Sequence, residues 1–162
     1  MRFLSSSKRA FTLVEILIVM AVIGILSTIV MSNLQEGRKS ARDSQRKSDL
    51  QQIQLAMRAY RDAESTSEHP SFAAGDLIGD GLGFDSVFSG YVTGNIKDPL
   101  DRDEYHYYYD SSYTCNGVNT VVLVQTMERS GAGNYSSVCS SAPSDLGNGI
   151  TPTADSYIVI LK

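Results

Sequence analysis

The residue types that enzymes use for catalysis are scarce in this chain, and those present are poorly placed. The 162 residues include two cysteines and two histidines, His69 and His106, and neither histidine lies in a nucleophile or metal-ligand motif. Serine and aspartate are too common here to mark a site by themselves. We therefore predict that the chain has no catalytic residue and is not an enzyme.

Glu15 is the ionisable residue whose position most needs a reason. It is the single charged residue in the apolar run from Phe11 to Met31. A carboxylate at the middle of a membrane helix costs about 2.5–3.5 kcal/mol on insertion scales, and acids in such helices usually mark function. Glu15 lies near the start of the run, so the alternative interpretation is a tolerated interfacial acid, favoured there by the helix dipole.

The apolar run that contains Glu15 is long enough to cross a bilayer as a helix, which takes about 20 residues. Three basic residues, Arg2, Lys8 and Arg9, precede it. A secretory signal peptide is one interpretation, but that class has a shorter apolar core, followed by a cleavage site of small residues. A plain single-pass anchor is another, and neither interpretation explains an acid inside the run.

After the apolar run the chain continues as good helix formers without proline. An apolar stripe recurs at three- and four-residue spacing: Leu50, Ile53, Met57 and Tyr60. We predict one long helix from about Phe11 to Asp62. Its first part, 11–33, is apolar all round and meets lipid or other copies, whereas its second part, 34–64, is amphipathic and packs under a globular head.

The remaining residues, 65–162, have the turn-rich composition of a small globular head. Residues 64–95 indicate a long loop with at most one short helix. Three later segments favour strands: Tyr105–Tyr109, Asn119–Met127 and Ser156–Leu161. The predicted fold class is therefore α+β, with the long helix packed on one face of a small antiparallel sheet.

Two details of this sheet can be predicted. At strand spacing Tyr105, Tyr107 and Tyr109 lie on one face, where we expect contacts with the core and other rings and no ligand stacking. The stretch Asp110–Asn119, which includes Asn116-Gly117, suits a hairpin connection.

The N-terminal residues resemble a known family. The stretch KRAFTLVEILIV, at residues 8–19, is similar to the signature of type IV pilins and type II secretion pseudopilins. The resemblance implies that prepilin peptidase cuts between Ala10 and Phe11 and that the new terminus at Phe11 is N-methylated. It gives residues 1–10 as a cytoplasmic leader. The family usually has Gly before the cut, where this chain has Ala10.

The same resemblance gives Glu15 a partner. Cleavage would create a positive amine at Phe11, one helical turn from Glu15. In a bundle of staggered helices, Glu15 of one copy would pair with the Phe11 amine of the next and fix the axial register, because a paired buried charge costs much less than an unpaired one.

A group of basic residues follows the apolar run: Arg38, Lys39, Arg42, Arg46 and Lys47. Three interpretations are open: a solvated face near lipid headgroups, a contact with acidic surfaces of neighbouring subunits, and DNA binding. DNA is the least favoured, since the head is acidic and no aromatic residues interleave the basic ones.

Two further features concern the exported head. Cys115 and Cys139 are predicted to form a disulfide, worth about 3 kcal/mol by loop closure, with two buried free thiols as the alternative. Major pseudopilins, which the head resembles weakly through Lys97-Asp98-Pro99, bind calcium, and that resemblance nominates Asp98, Asp101, Asp145 and Asp155. An acidic cluster at Asp98, Asp101, Asp103 and Glu104 lacks the EF-hand pattern, so a solvated or subunit-contacting turn is favoured and no cofactor is predicted.

Taken with the resemblance, these features predict a structural subunit of a type IV pilus-like filament. Its partners would be other pilin subunits, the prepilin peptidase/methyltransferase and, before assembly, the lipid bilayer. It would be a single-pass protein of the cytoplasmic membrane with its head outside, then part of an extracellular or periplasmic filament. A type II secretion pseudopilin is the close alternative, and a membrane-anchored extracellular enzyme or binding domain is the lesser one.

Overall fold

A computed structural model gives the fold of the protein. It describes residues 11–64, 69–72, 76–80, 82–94, 96–100, 102, 105–112, 114–115, 118–119, 121–139 and 151–161. The chain divides into two compact units, Met1–Arg38 and Lys39–Lys162. The predicted leader with Ala10 lies outside the described residues, as do Asp101 and Asp145 and the side chain of Cys115.

Helix α1, Leu13–Glu64, confirms the predicted long helix. Thr12 caps its start, because the Thr12 hydroxyl oxygen accepts a hydrogen bond of 3.3 Å from the backbone N–H of Glu15. Threonine followed three residues later by glutamate is the spacing of a capping box. The acid that stands out in the apolar run therefore also belongs to the helix-start signal.

In the first unit, α1 exposes its apolar side chains on every face. The large hydrophobic residues from Phe11 to Leu34 are between 50% and 81% exposed. Its hydroxyls bond to carbonyls of the preceding turn: Ser27 to Ile23 at 2.8 Å, Thr28 to Ile25 at 2.6 Å and Ser32 to Ile29 at 2.9 Å. By length and composition, α1 is a helix that could cross a membrane.

The second unit contains a four-stranded antiparallel sheet. Its strand order is β1-β2-β5-β6, formed by Asp76–Ile78, Tyr107–Asp110, Val121–Thr126 and Ser156–Leu161. Two-residue strands β3, Thr114–Cys115, and β4, Val118–Asn119, pair where the hairpin was predicted. Short helices α2, Gly83–Phe88, and α3, Tyr135–Val138, complete the described elements.

Side chains of the C-terminal half of α1 and of the sheet meet in one hydrophobic core. Leu50, Ile53 and Met57 of the predicted stripe are buried, together with Tyr107 and Tyr109 from β2. The tyrosine hydroxyls also have partners inside the unit: Tyr107 donates to Asp49 at 2.7 Å and Tyr109 donates to the Pro70 carbonyl at 2.6 Å. Two of the three predicted core tyrosines are thus confirmed, while Tyr105 precedes the strand.

The outer edge of strand β6 is closed by the side chain of Asn134. Its amide nitrogen donates to the Ile158 carbonyl at 2.9 Å, and its amide oxygen accepts from the Ile158 N–H at 2.6 Å. Gly133 permits this approach, because a Cβ there would lie 2.5 Å from the Ala154 carbonyl oxygen. One asparagine side chain therefore replaces a neighbouring strand at Ile158.

We expect Asn134→Ala to lower the free energy of unfolding by about 1–3 kcal/mol, since it leaves the backbone groups of buried Ile158 without partners. Chemical denaturation of the full chain in detergent measures this loss. The matched control is Ser137→Ala, an exposed residue of the same segment, which should change stability by less than about 0.5 kcal/mol. Equal effects of the two variants would contradict the edge-closing role.

Candidate functional site

The N-terminal end of α1 places Phe11 and Glu15 one helical turn apart. Phe11 is exposed, and Glu15 lies in the first turn of the helix, also exposed. The helix dipole favours an acid in this turn. The geometry thus presents a carboxylate beside the predicted new terminus on an otherwise apolar surface, and the pairing of the two between copies stays a prediction.

The second unit contains a cluster of charged side chains that we call the ion-pair cluster: Arg42, Asp43, Arg46, Asp98 and Glu128. Arg46 is its centre, with a side chain that is 0% exposed. Its Nε lies 2.6 Å from Asp98 Oδ2 and its Nη2 lies 3.0 Å from Asp98 Oδ1. This two-pronged geometry is the strongest that arginine makes with a carboxylate.

The third nitrogen of Arg46 connects the rest of the cluster. Arg46 Nη1 donates to Asp43 at 2.8 Å and to Glu128 at 2.9 Å. Arg42 also contacts Glu128 through two hydrogen bonds, of 2.6 and 2.5 Å. The carboxylate of Asp43 further accepts the backbone N–H groups of Glu128 and Arg129, at 2.9 and 3.1 Å. The cluster therefore ties α1 to two loops that are distant in sequence.

The contacts in this cluster shift the pKa values of Arg46 and Glu128. Burial opposes the charge of Arg46, but its hydrogen bonds to Asp98, Asp43 and Glu128 outweigh burial and raise the Arg46 pKa. The hydrogen bond from Arg42 is the main cause that lowers the pKa of Glu128; burial opposes it and Arg46 assists it. The hydrogen bonds therefore stabilise the charged forms of Arg46 and Glu128.

For Arg46, the expectation of a solvent-facing or partner-facing basic residue is wrong. Arg46 is buried, and its guanidinium also lies 4.7 Å from the centre of the Tyr105 ring. A sequence signal for this burial existed, because Arg46 lies four residues before Leu50 and seven before Ile53. It therefore continues the apolar stripe of α1.

The residues nominated for calcium have other contacts. Both carboxylate oxygens of Asp98 bond to Arg46, and one also accepts the Leu100 N–H at 2.8 Å. Asp155 accepts the Gly131 N–H at 2.6 Å. Among the described residues, no group of three or more histidine, cysteine or acidic side chains could hold a metal ion. The expectation that the chain needs no cofactor stays a prediction.

The remaining predicted site residues are the cysteines and the histidines. Cys139 is buried, and no cysteine in the described part of the chain is free; its pairing with Cys115 stays a prediction. Burial, assisted by Arg61, lowers the pKa of His69. The ring of His106 lies edge-on to Tyr108, with ring centres 6.2 Å apart.

The shifted pKa of Glu128 predicts a pH dependence of stability. Its folded pKa lies below its unfolded value of about 4.3, so its stabilisation is complete above that pH and is lost as the pH falls through the folded pKa. We expect Glu128→Gln to flatten the decline in unfolding free energy below about pH 4.5.

Acid-titrated denaturation curves of the two proteins measure this difference. Asp49 provides a control of opposite sign, because burial raises its pKa despite the hydrogen bond from Tyr107. Asp49 therefore costs stability above its folded pKa, and Asp49→Asn should steepen the acid decline. Parallel curves for wild type and Glu128→Gln would contradict the assignment.

Comparison with known proteins bears on the N-terminal end of the chain. Residues 5–31 match the family model described as the prokaryotic N-terminal methylation motif. No curated protein and no solved structure matches the chain at a significant level. The matched segment includes Phe11, Glu15 and most of the exposed apolar part of α1. The chain therefore carries the methylation signature of type IV pilin-like and pseudopilin precursors, which are structural subunits and not enzymes.

Proposed function

We propose that this chain is the precursor of a structural subunit of a type IV pilus-like filament. Helix α1 inserts it in the membrane, prepilin peptidase removes residues 1–10, and the new terminus at Phe11 is methylated. The apolar part of α1 then leaves the lipid and packs against the same segment of other copies. The leader faces the cytoplasm and the head lies outside, so the filament is extracellular or periplasmic.

The observation that supports this proposal is the exposed apolar surface of α1 directly after the methylation motif. Side chains from Phe11 to Leu34 that are at least half exposed need a lipid or protein environment, because water would make this surface an aggregation site. In a simple membrane anchor, this surface contacts only lipid. In a polymerising subunit, it contacts lipid before assembly and the helices of other subunits afterwards.

A pseudopilin of type II secretion is the second candidate, because the matched motif is common to both classes. Calcium binding distinguishes the two candidates, because major pseudopilins bind calcium. A calcium requirement for folding of the head would favour the pseudopilin, whereas Asp98, one of the residues nominated for calcium, is already paired with Arg46. We therefore place the pilus-like subunit first.

Mass spectrometry of the protein purified from its native membrane tests the processing step. We expect a mature chain that begins at Phe11 and contains one additional methyl group, with electron microscopy of sheared surface material showing filaments of it. A matched variant, Ala10→Glu, places a charged residue before the cut and should accumulate as the uncut precursor. Wild-type protein that retains Met1 through Ala10 and forms no polymer would overturn the proposal.

A further inference from the structure

A groove beside helix α2 has the size and lining of a binding site. Its volume is about 520 Å³, within the range of about 300–1,000 Å³ that is typical of ligand sites. Its apolar lining comes from β1, α2 and the loop that follows: Ile78, Phe84, Phe88, Val92 and Ile96. The two phenylalanine rings stack with centres 4.3 Å apart and are buried in the hydrophobic core, so the groove has a rigid base.

The polar side of the groove is acidic at the α2 end. Asp85 lines it, and the Asp85 carboxylate accepts the Gly79 N–H at 2.8 Å. Asp85 also has a further interaction within the chain. Asp80 lies next to Gly79 and is exposed. Lys97 follows the lining residue Ile96 and interacts within the chain.

Helix α1 carries an exposed apolar side chain and an exposed cation that complement the groove beside α2. Leu55 is 67% exposed, on the side of the helix away from Ile53 and Met57, which lie two residues before and after it and are buried. Arg58 is exposed one turn further on and therefore lies beside Leu55. An apolar side chain with an adjacent cation matches an aromatic groove with an adjacent carboxylate.

We infer that the α2 groove of one copy receives Leu55 and Arg58 of the next copy in the filament. The inference rests on the proposed function and adds the head contact to it. A filament grows only through a heterologous contact, in which one patch meets a different patch on the next copy. Leu55 covers the groove beside Val92, and Arg58 lies against its acidic end, at Asp80 and Asp85. Each copy thus offers one groove and one helix face, and the contact repeats along the fibre.

Cysteine cross-linking in assembled filaments tests this contact. The variant Leu55→Cys/Ser89→Cys places one thiol on α1 and the other at the groove, which Ser89 lines. We expect mild oxidation to give a ladder of covalent oligomers. A mixture of the two single variants should give dimers and no ladder, because each chain then offers one reactive end.

The matched control is Ser48→Cys/Ser89→Cys. Ser48 is exposed on the same side of α1, seven residues or about 10.5 Å from Leu55, and a disulfide requires Cα atoms within about 7 Å. This control should give no ladder. In addition, Arg58→Glu should lower the cross-linking yield about two- to fivefold and Arg58→Lys should preserve it, as for an exposed charge pair.

The outcomes separate the two proposals. Wild-type filaments together with a double variant that gives no ladder would overturn the groove contact and leave the filament proposal standing. Equal ladders from Leu55→Cys and Ser48→Cys would also overturn it, because the cross-link would then be non-specific. A wild-type chain that forms no filament under processing conditions would overturn the proposed function itself.

Discussion

Glu15→Ala is expected to abolish filament formation while leaving membrane insertion intact. In the proposed assembly, the Phe11 amine created by cleavage lies in an apolar helix bundle and has Glu15 of a neighbour as its partner. Removing one member of a buried ion pair costs about 3–5 kcal/mol, because the remaining charge has no compensation. The loss recurs at each subunit added, so it suffices to stop growth.

Two measurements on the same cells separate assembly from insertion. Electron microscopy counts the filaments, and membrane fractionation followed by carbonate extraction measures the inserted subunit. Glu15→Asp is the matched control, since it retains the charge and should retain part of the assembly, whereas Glu15→Gln should behave like alanine. Normal filaments from Glu15→Ala or Glu15→Gln would contradict the role of the charge.

Arg46→Met is expected to lower the free energy of unfolding of the head by about 3–5 kcal/mol, the range for breaking a buried ion pair. The side chain of Asp98 is 0% exposed, and Arg46 bonds to both of its oxygens. Without Arg46, that carboxylate is buried and lacks its counter-charge. Denaturant unfolding of the full chain in detergent, followed by circular dichroism of the tyrosines, measures the loss.

Two further variants distinguish the ion pair from a general effect of losing a positive charge. Arg58→Ala removes an exposed arginine from the same helix and should change stability by less than about 0.5 kcal/mol. Arg46→Met combined with Asp98→Leu also removes the fully buried carboxylate that the single variant leaves without a counter-charge, so it should recover part of the loss. Glu128 retains Arg42, and Asp43 retains its backbone donors. A double variant as unstable as the sum of the two single variants would contradict the coupling.

The parts of the fold that follow from local pattern could be predicted. Helix α1 follows from a long apolar run and a continuation of good helix formers without proline, and its stripe at Leu50, Ile53 and Met57 is buried as expected. Strand β6, Ser156–Leu161, has the predicted bounds because six consecutive residues favour extended backbone. Strand β5 is two residues shorter at its start and one at its end than the predicted segment.

Elements that depend on distant partners could not be predicted. Strand β1, Asp76–Ile78, has three residues and exists because it pairs with β2, about thirty residues later in the chain. No local pattern of that length specifies a strand. Helix α3 has four residues, and Asn134, just before it, is placed by its bonds to Ile158 in β6. These are tertiary contacts that the local sequence does not encode.

The ion-pair cluster was not predicted, because the charge of Arg46 was given more weight than its position in the apolar stripe of α1. Arginine is rarely buried, so a basic residue on a helix next to other basic residues suggests solvent. Arg46 is nevertheless in phase with the apolar stripe, and its partners Asp98 and Glu128 are 52 and 82 residues away. The phase was visible in the sequence, whereas the identity of the partners required the fold.

The serine and threonine hydroxyl groups in the apolar part of α1 affect how the helix could move from lipid to contacts with other helices. Ser27, Thr28 and Ser32 satisfy their donors on carbonyls of their own helix. These hydroxyl groups therefore need no hydrogen-bond acceptor from their surroundings. They can face either lipid chains or the helix of another subunit. In the proposed assembly, these hydroxyls do not distinguish a correctly placed neighbour from a slipped one, so the axial register depends on the predicted pairing of Glu15. In the proposed filament, a subunit therefore returns from the fibre to the membrane without breaking any of these three hydrogen bonds.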